Sequence, residues 1–412
     1  MRLDANRKAD VIDKVSRLAA AHQPGFSLDQ AFYTDPEIYA LELERIVYRN
    51  WILAGHVSEW PESGDFRTMS VADESAIVVR GEDGELRAFA NVCRHRGSRV
   101  CLEHEGHADR LACPYHGWQY ATDGRLVAAR DMPKDFDATA YGLKALPCEI
   151  VHGLVFVAFS PSPPSLESAR RDLEKPMRWF GFENMRVARR RHYDIPANWK
   201  LSIENYQECY HCATAHRTYA TRHTLMLAPS KRGRVQDDMK ARLSDAGLED
   251  LLIDRLDTAA PPGETGYGYS RTALFDGYLT GSRDGRPLAP LLGELKGFDG
   301  GGSDFSFGGF TFMLAYSDHV VVYVFTPVTH TSSRLDVLWL VRGDAEAGRD
   351  YDVDELTWLW HVTTLEDLEI IENNWLGVCS AHYEPGPFSL MERAESVYVD
   401  WLLAELTRED AR

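Results

Sequence analysis

A chain of 412 residues with 45 Lys and Arg against 63 Asp and Glu carries a formal net charge of −18 at neutral pH. A surface that acidic repels phosphate backbones and anionic headgroups, which argues against nucleic acid and membrane partners. At 44% hydrophobic and 26% charged residues the composition is that of a globular protein, with length for about two or three domains.

Residues 1–23 mix charged and apolar positions and hold no apolar stretch of the kind a secretory signal needs. Nor is there a later run of roughly 18 consecutive apolar residues, as a membrane span requires. The expected compartment is the cytoplasm. Seven cysteines, at 93, 101, 113, 148, 209, 212 and 379, are too scattered for a secreted disulfide framework. In a reducing compartment, Cys clustered with His points to metal before disulfide. Cys101 and Cys148 stand apart and read as small buried apolar residues.

Apolar positions at helical spacing predict amphipathic helices over 9–22 (Val11, Val15, Leu18) and 36–50 (Ile38, Leu41, Ile46, Val47). From 51 to about 160, short β-branched runs at 76–80, 86–91, 111–113 and 155–159 are broken by Gly, Asp and Pro and predict a small antiparallel β domain. The Pro-rich stretch 160–165 reads as a linker. Residues 197–216 look helical, entered after Pro196, whereas 228–305 are rich in Gly, Asp and Pro and predict long irregular connections. Strands are expected at 310–316, 320–327 and 334–341, then a helix from about 355 to 374. The expected organisation is N-terminal helices at 1–50 packing on the last domain, a β domain at 51–160, and a mixed α+β domain at 161–412.

Cys93-x-His95 is followed, seventeen residues on, by Cys113-x-x-His116. Two thiolates and two imidazoles suit either a tetrahedral zinc or a [2Fe–2S] cluster whose two irons have different ligands. Zinc sites usually pair Cys with Cys and His with His. Here each turn offers one of each, as needed to put both thiolates on one iron and both imidazoles on the other, which favours the cluster.

A second constellation places Glu208, His211 and His216 close together. At 100° per residue Glu208 and His211 share a helix face, but His211 and His216 lie about 140° apart. The helix is therefore expected to bulge or end between them. Two His with one carboxylate form the facial triad of non-haem Fe(II), which leaves positions open for O₂. Glu208 sits within the same turn and suits a bridging position, so the third ligand must come from elsewhere. The acidic segment 364–374 is the richest source. Within it Asp367 shares a face with Ile371 and Asn374 and is the candidate ligand, while Glu366, Glu369 and Glu372 look partly solvent-directed.

In this order the two constellations resemble the α subunits of Rieske non-haem iron oxygenases, over nearly the whole chain. The resemblance implies a [2Fe–2S] cluster on Cys93, His95, Cys113 and His116, and Fe(II) on His211, His216 and Asp367. The family's acidic-x-Tyr-His-x4-His motif falls on Glu208, Tyr210, His211 and His216. It also implies an α+β fold: a β-sandwich Rieske domain ahead of a helix-grip (Bet v1-like) catalytic domain with a central antiparallel sheet, commonly as a homotrimer. Electrons would come from a separate NAD(P)H-dependent flavin or iron–sulfur reductase.

Most ring-hydroxylating members have Asp where this chain has Glu208. Glu there is similar to the subgroup acting on quaternary ammonium compounds, which includes glycine betaine monooxygenases and proline betaine (stachydrine) demethylases. That likeness implies O₂-dependent N-demethylation of a betaine with release of formaldehyde, with Glu208, His211, His216 and Asp367 as the catalytic residues. The alternatives are aromatic-ring hydroxylation within the same family and a non-catalytic Rieske electron carrier. A quaternary ammonium has no N–H to donate, so aromatic faces are expected to hold it. The candidates are Tyr206, Phe307, Phe310, Phe312 and Tyr316.

Overall fold

A computed structural model of the chain describes residues 3–251, 256–258 and 263–408. It divides into two compact units, one spanning 48–163 and one formed by the segments on either side. Among the described residues no helix is long and apolar enough to cross a membrane.

The 48–163 unit is built from antiparallel strands. In Glu74–Arg80, alternate side chains enter different cores. Ala76 and Val78 pack with Trp60, Val155 and Val157, whereas Ile77 and Val79 pack with Phe89, Trp118 and Tyr120. Burial on both faces explains the unbroken apolar run. This strand lies in a five-stranded sheet ordered Glu105–His107, Asp65–Val71, Glu74–Arg80, Leu86–Ala90, Ala145–Leu146. A three-stranded sheet (Ile52–His56, Leu154–Val157, Cys148–Val151) closes the first core, and a second small sheet (Leu111–Ala112, Gln119–Tyr120, Leu126–Ala128) flanks the other. Cys101 is buried as expected, but Cys148 is only half-buried.

In the other unit, α1 (Ala5–Ala21) buries Val11 and Val15 and is capped by Asp4, which accepts from Arg7 N–H at 3.0 Å. The helix expected over 36–50 is α2 (Pro36–Glu42), continued by a π-helical turn at Leu43–Val47. Then come α3 (Glu167–Phe180), α4 (Trp199–Gln207), α5 (Cys212–Ala215), α6 (Gly233–Asp245), α7 (Val353–Val378) and α8 (Arg393–Thr407). Asp352 caps α7, accepting from the N–H groups of Asp354 and Glu355 at 2.9 and 3.0 Å. Helix α1 packs on α8.

The strands of this unit are β1 (Met185–Ile195), β2 (Leu256–Thr258), β3 (Tyr267–Ala273), β4 (Gly301–Phe307), β5 (Thr311–Ala315), β6 (Val320–Thr329) and β7 (Ser332–Arg342). They form one antiparallel sheet in the order β1-β7-β6-β5-β4-β3-β2, with α4 and α7 packed against it. Strands β5, β6 and β7 match the three expected ones closely. The stretch 228–305 is more regular than expected, since it holds α6, β3 and the start of β4; residues 252–255 and 259–262 of it lie outside the described residues.

Candidate metal centres and substrate cavity

Two loops of the 48–163 unit share one backbone design. Gly97 N–H donates to Cys93 O and Gly117 N–H to Cys113 O, both at 3.0 Å, and the two glycines sit at φ +81° and +72°. That left-handed conformation suits Gly, which lets each loop turn tightly around its Cys. The thiols of Cys93 and Cys113 are buried, whereas His95 is exposed and His116 half-buried, with imidazole centroids 4.7 Å apart. His95 stacks on Trp118 at 4.8 Å. The Tyr120 hydroxyl lies 3.2 Å from Cys93 Sγ and accepts from Arg94 N–H at 3.0 Å. The sulfurs thus lie inside and the imidazoles at the surface.

In the other unit, Asn198 caps α4 by accepting from Lys200 N–H at 3.1 Å. The helix stops at Gln207, and Glu208 is extended at φ −122°, ψ 165°. The break therefore comes before both His, earlier than the expected bulge between 211 and 216. At the break the Glu208 carboxylate reaches forward to accept from Tyr210 N–H, His211 N–H and His211 Nδ1–H. These bonds compete with helical continuation. The turn also brings Cys209 and Cys212 to a Cα separation of 4.9 Å, and they form a disulfide.

His216 ends α5, and its Nδ1 faces Glu366 Oε2 at 3.0 Å. Each imidazole thus points one N–H at a carboxylate and turns its Nε2 lone pair inward. His211 Nε2 and His216 Nε2 are 3.1 Å apart, and Asp367 Oδ1 lies 3.4 and 2.8 Å from them. Donors about 2.1 Å from one ion, at right angles to each other, stand about 3 Å apart. Three acceptor atoms crowded in this way become favourable only around positive charge. Burial disfavours a charged His211, but the carboxylates of Asp367 and Glu208 outweigh it and raise the imidazole to about 9. Burial likewise opposes an ionised Asp367, yet the two His hold it below the usual carboxylate value. The ligand atoms of these three residues all lie within 4.8 Å of one another, close enough to hold a single metal ion.

A cavity of about 440 Å³ opens beside this centre. Its sheet wall follows from the strand register: Ser270 on β3 pairs with Asp304 on β4, Gly268 with Ser306, and Ser306 with Phe312 on β5. Small residues on that face leave the volume open. Tyr206, Tyr219, Phe312 and Trp360 supply aromatic faces, and Asp304 and Arg232 supply charge. Tyr206 packs against Phe312 at 4.8 Å and Tyr323 at 4.9 Å. Of the five aromatics expected to contact substrate, Tyr206 and Phe312 line the cavity and the others do not. Phe307 falls on the face of β4 opposite Asp304 and Ser306. Phe310 stacks on Trp199 at 5.5 Å, and the Tyr316 hydroxyl bonds His223 Nε2 at 2.6 Å. Glu208 and His211 also border a second cavity of about 380 Å³.

Residues 50–147 match the Rieske [2Fe-2S] domain, and residues 182–271 with 309–407 match the catalytic domain of the ring hydroxylating alpha subunit. The glycine betaine monooxygenase oxygenase subunit of Chromohalobacter salexigens is 34% identical, over 94% of this chain and 88% of its own. The chain belongs to the Rieske non-haem iron oxygenases. A similar subunit from Pseudomonas aeruginosa is 33% identical over 91% of this chain and 88% of its own. The fold resembles the quaternary ammonium Rieske monooxygenase CntA in complex with L-carnitine, with TM-score 0.69 and 23% identity over 95% of this chain and 98% of that one.

An oxygenase of this family carries a [2Fe–2S] cluster and a mononuclear Fe(II), and both donor sets fit them. Sequence reasoning missed two groups that touch those sets. Tyr120 reaches Cys93 from the neighbouring small sheet, and no spacing rule connects the two. Glu366 is partly exposed, as expected, yet it also meets His216 Nδ1, and its place beside Asp367 is the available signal.

Proposed function

We propose that this oxygenase removes one N-methyl group from a quaternary ammonium betaine, glycine betaine or proline betaine (stachydrine), as formaldehyde. The observation that carries this reading is the cavity beside His211, His216 and Asp367, whose aromatic faces suit a cation without an N–H. The names of its relatives agree: glycine betaine monooxygenase, and carnitine monooxygenase over about half this chain. The reaction balances as R₃N⁺–CH₃ + O₂ + 2 e⁻ + 2 H⁺ giving R₃N⁺–CH₂OH and water. The carbinolamine then yields R₃NH⁺ and formaldehyde.

In this reading Cys93, His95, Cys113 and His116 hold the cluster, and His211, His216 and Asp367 hold the iron. When bound, these groups relay single electrons and activate O₂. Glu208 and Glu366 fix the two imidazoles by accepting their Nδ1–H bonds. Because the Glu208 carboxylate also borders the second cavity, it can meet an incoming cluster imidazole, which we assign to His116 of a neighbouring copy in a homotrimer. Tyr206, Phe312 and their neighbours orient the methyl group and exclude water. An NAD(P)H-dependent flavin or iron–sulfur reductase, cytoplasmic like the oxygenase, supplies the electrons.

The test incubates the holoenzyme with a generic flavin reductase, NADH and a panel of betaines. Formaldehyde in proportion to O₂ consumed is the expected result. Oxygen uptake stimulated by arenes, with no formaldehyde from any betaine, would replace this reading with aromatic-ring hydroxylation.

A further inference from the structure

The disulfide between Cys209 and Cys212 adds little to holding the fold. A sequence separation of 3 closes a very short loop, and the entropy that a cross-link removes from the unfolded chain is least for short loops. Hydrogen bonds already shape the turn. Tyr210 N–H and His211 N–H donate to the Glu208 carboxylate, Thr214 N–H and Ala215 N–H to His211 O at 2.9 Å, and His216 N–H to Cys212 O at 3.0 Å. The two sulfurs therefore stay within reach of each other whether or not they are bonded. Both residues line the main cavity, with Cys209 half-buried and Cys212 buried, and Cys212 Sγ is 3.9 Å from His211 Nε2, the atom turned towards the metal. Neither sulfur is needed for the oxygenation itself.

We infer that Cys209 and Cys212 are a reversible dithiol that captures hydrogen peroxide formed in the cavity when O₂ is reduced without a substrate being hydroxylated. This requires only the oxygenase chemistry and is independent of which substrate is demethylated. Two electrons from the reductase and two protons convert O₂ to H₂O₂. One thiol takes an oxygen atom from H₂O₂ to become a sulfenic acid, releasing water. The other thiol then attacks that sulfur, the S–S bond forms, and the oxygen leaves as a second water. The balance is 2 Cys–SH + H₂O₂ giving Cys–S–S–Cys + 2 H₂O. An external dithiol returns the pair to thiols by exchange and is itself oxidised to a disulfide. A single cysteine can be carried on to sulfinic acid, which is irreversible, whereas a second sulfur at hand stops oxidation at a recoverable stage. The Cα separation of 4.9 Å is one that a disulfide spans without backbone movement. In the bonded state His211, His216 and Asp367 still converge, with Glu208 on His211 Nδ1, so capture leaves the iron ligands in place. Without the pair, peroxide in the cavity meets the other sulfurs of its lining, Met313 and Met391.

The test starts from holoenzyme treated with tris(2-carboxyethyl)phosphine and freed of it under argon. Turnover with a flavin reductase and NADH in air, without substrate, is stopped by alkylation, and peptide mass spectrometry reads each cysteine. Cys209 and Cys212 are expected to leave the alkylated pool together and to return to it after dithiothreitol. Cys379 is exposed and lies off the cavity, so it reports peroxide in bulk solution. It should stay alkylated, and added catalase, which removes peroxide only from bulk solution, should not protect the pair. Omitting O₂ or NADH should leave both thiols free. In a double variant, Cys209→Ser with Cys212→Ser, the turn keeps its backbone hydrogen bonds, and sulfoxide at Met313 and Met391 should rise severalfold over the unsubstituted protein. Thiols that persist through turnover, protection by catalase, equal loss of Cys379, or unchanged sulfoxide in the double variant would overturn the capture role. So would a pair that resists the phosphine in the folded protein, since it would then be a permanent bridge. Formaldehyde from a betaine bears on none of these outcomes, so the betaine reading stands or falls separately.

Discussion

The cluster loops and the mononuclear centre use similar residue types but are assembled in opposite ways. All four cluster candidates fall between Cys93 and His116, on two turns with the same hydrogen bond and the same left-handed glycine. The mononuclear centre joins a broken helix to Asp367, which is 151 residues beyond His216, and its position depends on where the sheet seats α7. A site made by local turns survives disturbance elsewhere, whereas a site made by tertiary packing reports on every element that aims it. Replacing Asp367 with Ala should break this comparison most sharply. Complete loss of mononuclear iron and of product formation is expected, with the visible spectrum of the cluster unchanged. Iron analysis alongside absorbance checks it, and retained stoichiometric iron would assign the third ligand to a neighbouring acid.

The same contrast explains which parts were legible in the chain. Turn chemistry is local, so the cluster loops could be read from spacing, and the short apolar run within Glu74–Arg80 could be read as a strand. Strands β5 to β7 could be read because both their faces are apolar or alternate cleanly. Strands β3 and β4 could not, because the cavity asks for Gly268, Ser270 and Ser306 where a packed sheet would place Val or Ile. Their composition mimics a loop for a functional reason. Strand β1 was missed as well: its Arg-rich sequence is only half-buried, at the edge of the sheet, and takes its order from pairing along β7. Periodicity signalled a break but placed it too late, because the break at Glu208 comes from a carboxylate bonding N–H groups two and three residues ahead, which periodicity does not register.

Two carboxylates sharpen the comparison further, since each accepts an Nδ1–H from one His but they border different spaces. Glu208 lines both cavities and Glu366 lines neither. Glu208→Gln keeps an acceptor oxygen for His211 but loses the charge that a second imidazole would meet. Iron should remain bound while single-turnover electron delivery falls by on the order of 100-fold. Unchanged turnover with full metal content would remove Glu208 from the relay. Glu366→Ala instead removes the acceptor that orients His216. Iron affinity should drop about tenfold in a chelator competition, with electron delivery per bound iron preserved.

The smallest effect is expected at Tyr120, on the local side of the comparison. Its hydroxyl oxygen accepts from Arg94 N–H and lies 3.2 Å from Cys93 Sγ, and a thiolate there can only accept, which makes the hydroxyl the donor when the cluster is bound. A hydrogen bond to a cluster thiolate stabilises the more negative, reduced state and raises the potential. Tyr120→Phe removes that bond, and a redox titration followed by absorbance should show a lower midpoint potential. Stability should fall by about 1 kcal/mol, because Arg94 N–H loses its acceptor and must turn to water. Iron content at His211, His216 and Asp367 should not change, since no atom of Tyr120 participates in that assembly. An unshifted potential would mean that the hydroxyl hydrogen points away from the sulfur, and the cluster's tuning would then rest on backbone N–H groups and on burial of the two thiolates.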